Sequence, residues 1–151
     1  MIESQYTANV GKRLPSDKMR SWKVNDNFEG GVPDAFYRHH EGVRPLWAEY
    51  KFIKNLPKRP TTIIKPAWSE RQRLWLIEAE AANGLAVVII GCESIKHKRQ
   101  VCGVVLTDPN EWDNGISAEQ FATRAKSLNY DALAAFIFET AATGELATAL
   151  L

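Results

Sequence analysis

One short apolar run constrains the fold of this chain more than any other feature. Residues 85–90 read LAVVII, with no polar side chain and a high content of β-branched residues. A run of this length and composition is typical of a strand buried on both faces, at the centre of a sheet covered by helices. No apolar run approaches the ~18 residues that a membrane span requires. We therefore expect a soluble protein with no membrane contact.

The residues before this run predict a helix. Ser69 and Gln72 have the spacing of a capping box, so we expect the helix to begin at Ser69. Its predicted apolar face recurs at helical spacing, and a glycine suits the position just after its end. The members of that pattern are Leu74, Ile77, Ala81 and Leu85, with Gly84 at the end.

The earlier part of the chain predicts a short helix followed by strands. Apolar residues four apart (Ile2, Tyr6, Val10 and Leu14) predict a helix over 2–14 that ends before Pro15. Strands are predicted at 21–25, 32–39, 45–53 and 100–106, with a hairpin connection at 40–44. The turn-forming residues after the first strand, DNFEGG, and the proline-containing segment 54–68 predict loops. Together with the buried run, this order indicates an α/β layered domain.

The C-terminal third predicts helices of acidic character. Ser117 and Gln120 form a second capping box, and a further helix opens at Asp131 with Leu133, Phe136 and Ile137 as an apolar stripe expected in the core. Residues 1–107 hold 17 Lys and Arg against 11 Asp and Glu, whereas residues 108–151 hold 2 against 7. We therefore divide the chain into a basic core, 1–106, and an acidic helical extension, 107–151, packed on the same domain.

The basic residues are concentrated in two places. The first is the segment 51–73, and the second is the cluster 96–99. Such clusters suit a polyphosphate partner, and a merely solvated face is the alternative. The residues expected to contact nucleic acid are Lys54, Lys58, Arg59, Lys65, Arg71 and Arg73.

A carboxylate and an ammonium group are predicted to project side by side from one strand. Alternate residues of a strand share a face, so Leu46, Ala48, Tyr50 and Phe52 form a core face while Glu49 and Lys51 lie on the other. Asp34, directly after Pro33, approaches Glu49 if the two neighbouring strands pair. Two converging carboxylates repel each other unless a cation lies between them. A hard ion such as Mg²⁺ fits that donor set.

The ordered set of these residues resembles a known nuclease superfamily. Gly31-Val32-Pro33-Asp34, then Glu49-Tyr50-Lys51, then Ser69-Glu70-Arg71-Gln72 on a helix, is similar to the PD-(D/E)xK pattern. It is most similar to small phage-type VRR-NUC and Holliday-junction-resolvase-like members. The resemblance covers roughly residues 1–106. It implies a restriction-endonuclease-like mixed β-sheet flanked by helices, with the C-terminal helices as an addition.

The resemblance implies a Mg²⁺- or Mn²⁺-dependent endodeoxyribonuclease. Asp34 and Glu49, with the backbone carbonyl of Tyr50, would bind the metal, Lys51 would be catalytic, and Gln72 would support the site. Members of the family often add an acid from the first helix, which here is Glu3; a surface role for Glu3 is the alternative, and Asp26 and Glu29 are rival donors. A capping role alone also explains Gln72. The implied partner is DNA, including branched DNA, and a homodimer would suit cleavage of a twofold junction.

Other classes of function remain open at this level. The fold could serve as a non-catalytic nucleic-acid-binding or protein-interaction module, and RNA could be the substrate. His39 and His40 are expected to be polar turn residues or to contact phosphate. Trp47 and Trp75 are expected to pack. Trp22 and Trp68 lie near basic loops and are also expected to pack, with stacking on nucleic-acid bases as the alternative. Cys92 and Cys102 are expected to be buried reduced thiols, which indicates a cytoplasmic location, in the host if a phage encodes the chain.

Overall fold

The structure is a computed structural model that describes residues 1–24, 30–95 and 100–151. Residues 26–29 of the predicted turn DNFEGG, with Asp26 and Glu29, the last residue of the predicted strand 21–25 and the basic cluster 96–99 lie outside these residues. The helices and strands, in chain order, are α1 (Glu3–Gly11), β1 (Met19–Lys23), β2 (Ala35–His39), β3 (Leu46–Asn55), β4 (Ile63–Ile64), α2 (Glu70–Ala81), β5 (Leu85–Ser94), β6 (Cys102–Leu106), α3 (Pro109–Asn114), β7 (Ile116–Ser117), α4 (Ala118–Ala125) and α5 (Tyr130–Thr143), before a final 3₁₀ turn at Thr148–Leu150.

Five of the described strands form one mixed sheet in the order β1-β2-β3-β5-β6. The strands β1, β2 and β3 pair antiparallel, β3 and β5 pair parallel, and β6 returns antiparallel to β5. The parallel pair requires a crossover connection, and α2 lies within it. The predicted fold class, an α/β mixed sheet flanked by helices with further helices at the C-terminus, is confirmed.

The strand β5 is buried on both faces, as its apolar run predicts. Val87 and Ile89 belong to a core cluster shared with α1 and α5. Val88 and Ile90 belong to a second cluster shared with α2, α3 and α4. The C-terminal helices thus contribute to both clusters, and the predicted core residues Leu133, Phe136 and Ile137 are fully buried. The domain division at residue 106 stays a prediction.

Both predicted capping boxes are present. The Ser69 side chain accepts from the Gln72 backbone and the Gln72 side chain from the Ser69 backbone, and Ser117 and Gln120 repeat this arrangement at α4. The predicted apolar face of α2 is wrong in part. Ile77 packs against the second cluster as expected, but Leu74 and Ala81 are exposed, and the fully buried residue is Leu76.

The helix α2 ends differently from the expectation. Asn83 has a positive φ of 68°, so it rather than Gly84 occupies the left-handed position after the last turn. Asparagine tolerates this conformation better than most residues.

Two short elements depart from the predicted organisation. Within the predicted loop 54–68, β4 pairs antiparallel with β7, and its Ile64 is buried in the second cluster. Sequence periodicity also misses α3, although Asp108 caps it and Pro109 occupies its first position, which is a known start signal. The helix α1 ends at Gly11, earlier than predicted. No helix in the described ranges is long and apolar enough to cross a membrane.

Candidate active site

The strand β3 presents Glu49 and Lys51 on one face and Tyr50 on the other. Leu46, Ala48 and Tyr50 are fully buried in the first core cluster, as the alternation predicts. The Tyr50 hydroxyl lies 2.6 Å from that of Tyr37 in a buried hydrogen bond. This anchoring of the core face fixes the direction in which Glu49 and Lys51 project.

Asp34 lies directly before β2 and beside Glu49. The strands β2 and β3 pair with Ala35 opposite Ala48, which places Asp34 opposite Glu49. The backbone N–H of Tyr50 donates to Asp34 Oδ2 at 2.8 Å. The expected approach of the two carboxylates therefore depends on one antiparallel pairing and one backbone hydrogen bond.

Gly31 fixes the turn that leads to Asp34 against the first turn of α2. Its φ is +94°, and a Cβ built there would lie 2.7 Å from the backbone carbon of Arg71. Only glycine fits both the conformation and the close approach. The contact joins the segment that carries Asp34 to the helix that carries Gln72. Sequence reasoning noted Gly31 only as part of a pattern, and its packing role depends on a contact 40 residues away along the chain.

Gln72 has two roles that the sequence left as alternatives. Its Oε1 accepts from the backbone N–H of Ser69 at 2.9 Å, which completes the capping box. Its Nε2 donates to Glu49 Oε1, also at 2.9 Å. Both contacts are made by the side-chain amide of Gln72. The hydrogen bond that Oε1 accepts from Ser69 therefore orients the Nε2 donor toward Glu49.

Glu49 is a buried carboxyl group with an incomplete set of partners. Glu49 is only 1% exposed to solvent. Lys51 Nζ lies 3.4 Å from Oε1, the oxygen that also accepts from Gln72, while Oε2 is buried with no hydrogen-bond partner among the described residues. Burial and the neighbouring Asp34 carboxylate raise the pKa of Glu49 from 4.5 to about 8, although Lys51 acts in the opposite direction. A divalent cation bound to these carboxylates would favour their ionised forms and lower that pKa.

The donor set fits a hard divalent cation. Oxygens from Asp34 and Glu49 are ligands of the kind that Mg²⁺ and Mn²⁺ prefer, and the unpartnered Oε2 offers one of them. Among the described residues, no group of three or more His, Cys, Asp and Glu side chains stands close enough to hold a metal. Two carboxylates suffice for Mg²⁺, which usually retains waters and binds substrate phosphates.

Glu3 lies near Asp34 and Glu49, but the three carboxylates are not close enough together to form a three-residue metal-binding group. Burial, and after it the charge of Asp34, raises the pKa of Glu3, while Lys51 and Lys23 lower it. These couplings place Glu3 within electrostatic range of the site. Its role as a ligand, like that of the Tyr50 carbonyl, stays a prediction.

The predicted nucleic-acid contacts divide into two groups. Five are exposed and make no ion pair with a described residue: Lys54, Lys58, Arg59, Lys65 and Arg71. Arg73 differs, because it donates from Nε and Nη2 to the carboxylate of Asp113 at 2.6 and 3.0 Å. That bidentate ion pair connects α2 to α3 and uses the guanidinium N–H groups that would otherwise bind a phosphate.

Three of the four tryptophans expected to pack are partly buried, and the fourth, Trp22, is exposed. Trp47 and Trp75 contact each other edge to face, and Trp68 packs against the fully buried Trp112. Trp22 is 52% exposed. The two cysteines are buried and free, as predicted.

Comparisons with known proteins give distant structural likeness alone. No model of a protein family matches this chain, and no curated protein matches it. Among solved structures, the Holliday junction resolvase Hjc of the archaeal hyperthermophile Archaeoglobus fulgidus is similar, with a TM-score of 0.45 and 12% identity, over 78% of this chain and 97% of that one. At such values nothing about activity is transferred from that protein.

Proposed function

We propose that this chain is a metal-dependent nuclease that hydrolyses phosphodiester bonds in DNA, with branched or junction DNA among its substrates. The observation that carries the proposal is the Asp34–Glu49 pair. Two carboxylates meet at one end of β2. The Glu49 carboxylate is buried, one of its oxygens lacks a hydrogen-bond partner among the described residues, and Lys51 and Gln72 contact the other oxygen. Such a cluster is costly for the fold alone, which favours a functional reason for it.

Each residue then has a distinct task. Asp34 and Glu49, with the Tyr50 carbonyl, would hold Mg²⁺ or Mn²⁺, which when bound neutralises charge on the phosphate and lowers the pKa of a bound water. Gln72 fixes Glu49 Oε1 and leaves Oε2 available. Lys51, 20% exposed, can donate to the attacking water or to a phosphate oxygen while it remains beside Glu49.

Exposed cations in the same part of the chain support a polyanionic substrate. Lys54 lies near the end of β3, Lys58, Arg59 and Lys65 follow that strand, and Arg71 lies at the start of α2 next to Gln72. Contacts of this kind position a nucleic acid without reading its sequence. A purely binding module would need these cations but not the carboxylates, which repel phosphate when no metal is bound.

The proposal is tested by incubating the protein with linear duplex, single-stranded and branched DNA and with RNA, each in Mg²⁺, Mn²⁺ or EDTA. We expect metal-dependent cleavage of DNA that Asp34→Asn, Glu49→Gln and Lys51→Met each abolish. Matched controls are Glu41→Gln and Lys126→Met, at exposed positions away from the site, and both should retain activity.

Three outcomes would change the conclusion. Cleavage of RNA alone would keep the nuclease and replace the substrate. Undiminished cleavage by Glu49→Gln, from protein free of contaminating nuclease, would overturn the site. Binding without cleavage in any metal would favour the non-catalytic module.

A further inference from the structure

The sheet face that carries Asp34 and Glu49 is covered by helices over only part of its width. The helices α2, α3 and α4 pack on that face over β3, β5 and β6, through the second core cluster. Over β1 and β2 the same face carries residues that belong to neither cluster and are exposed or half-buried: Arg20, Trp22, Asp34, Phe36 and Arg38. The proposed active site therefore lies at the boundary between the covered and the open part of the sheet.

An aromatic row crosses this boundary. Trp47 packs against Trp75 of α2, Phe36 packs against Trp47 at 4.8 Å between ring centroids, and Trp22 packs against Phe36 at 6.4 Å. The row is anchored beneath α2 at one end and ends at the exposed ring of Trp22. Of the described residues, Trp22 has ring contact only with Phe36, so much of its surface is open.

Two arginines flank the exposed end of the row. Arg20 and Arg38 are direct partners in the pairing of β1 with β2, both are exposed, and neither has an ion pair with a described residue. Like charges placed directly opposite each other in a sheet are destabilising. A bound anion would relieve this repulsion, which indicates a partner with negative charge and an aromatic or apolar surface.

The row is adjacent to the catalytic cluster. Phe36 lies two residues from Asp34, and Trp47 two residues from Glu49, each on the same face of its strand. Same-face neighbours in a strand are about 7 Å apart. A strand of nucleic acid held at Asp34 and Glu49 would therefore bring its next nucleotides over Phe36 and Trp22.

We propose that Trp22 and Phe36 form a stacking subsite for an unpaired nucleobase of the DNA substrate, with Arg20 and Arg38 on the flanking phosphates. Every base has a π-face that stacks on an aromatic ring, but a base inside a duplex is not free to do so. The inference deepens the proposed function, since it specifies a substrate with an unpaired strand next to the cleaved bond.

The test measures binding in EDTA, so that it does not depend on cleavage. A labelled single strand of about 12 nucleotides and a duplex of the same sequence are titrated with wild type, Trp22→Thr and Trp22→Phe, with Val43→Thr as the control at another exposed apolar position. Trp22→Thr should bind the single strand about fivefold or more weakly, whereas Trp22→Phe and Val43→Thr should remain near wild type. Duplex binding should be unchanged in all three.

An equal loss on single strand and duplex would overturn the subsite, because it would indicate contact with the backbone alone. Unchanged binding of single strand and duplex by Trp22→Thr would also overturn the subsite. So would a sedimentation experiment in which Trp22→Thr changes the oligomeric state, because Trp22 would then contact a second copy of the chain. Melting curves of the variants exclude unfolding as the cause of a loss. If the protein cleaves no substrate but Trp22→Thr loses single-strand binding, the proposed function fails and the subsite stands. If the protein cleaves DNA but Trp22→Thr binds the single strand as wild type does, the proposed function stands and the subsite fails.

Discussion

Replacing Glu49 with glutamine should stabilise the metal-free protein while it abolishes cleavage. A Gln side chain keeps the oxygen that accepts from Gln72 and places an N–H group where the unpartnered Oε2 lies, beside Asp34. The substitution therefore removes a buried negative charge and supplies a donor to the remaining carboxylate. A residue retained for chemistry rather than for the fold is expected to behave in this way.

The size of the effect follows from the difference in pKa between the folded and unfolded states. The unfolded chain releases the Glu49 proton near 4.5 and the folded protein near 8, so between these values the folded state binds more protons. Its stability therefore falls as pH rises through this window, and the full cost applies above pH 8. At about 1.4 kcal/mol per pKa unit, the ionised Glu49 costs on the order of 5 kcal/mol.

Thermal unfolding in EDTA at several pH values measures this cost. For a chain of this length 1 kcal/mol shifts Tm by about 2–4 °C, so Glu49→Gln should melt roughly 10 °C above wild type at pH 9 and close to it at pH 4.5. The control Glu41→Gln, which removes an exposed carboxylate, should show little difference at either pH. Adding Mg²⁺ should raise the Tm of wild type at pH 9 and leave that of Glu49→Gln nearly unchanged.

A lower Tm for Glu49→Gln than for wild type at pH 9 in EDTA would refute this reasoning. Glu49 would then be a net stabilising partner of Lys51, and the unpartnered oxygen would carry no energetic consequence. A Tm advantage that does not change with pH would also refute it, since the cost of ionisation would then not be its source.

Three further results are expected. Lys51→Met should abolish cleavage yet retain the Mg²⁺-dependent rise in Tm, because lysine is not a ligand of Mg²⁺. Lys58→Gln with Arg59→Gln should weaken binding to all DNA sequences alike and reduce the slope of log affinity against log salt by about 2; an unchanged slope would place the binding surface elsewhere. Arg73→Gln should lower Tm through loss of the Asp113 pair and leave that slope unchanged, and a reduced slope would return Arg73 to the binding surface.

The features that the sequence predicts correctly are those that local patterns determine. A period of two places Glu49 and Lys51 together on one face of β3, whatever the rest of the fold does. A short connection between two strand-forming segments favours their pairing, because little entropy is lost on closing it, and that pairing brings Asp34 to Glu49. The capping boxes at Ser69 and Ser117 are likewise complete within four residues.

The features that sequence reasoning misses depend on contacts between distant segments. Periodicity alone favours a face of α2 through Leu74 and Ile77, but the helix packs through Leu76, one turn after Gln72. Residues four apart share a helix face, so the orientation that buries Leu76 also directs Gln72 toward Glu49. The pairing of β4 with β7 depends in the same way on residues more than 50 positions apart.

The helix α2 shows why the site and the fold cannot be separated at this point of the chain. Gly31 allows the backbone before Asp34 to contact Arg71, and the cap at Ser69 holds the neighbouring Gln72 against Glu49. A shift of the helix by one residue would break the cap contact, the glycine contact and the hydrogen bond to Glu49 together. The distance between the two carboxylates is thus set by strand pairing, whereas the orientation of Glu49 is set by the start of a helix. This division explains how the buried Glu49 carboxyl group is held in place by its own strand and by the start of α2.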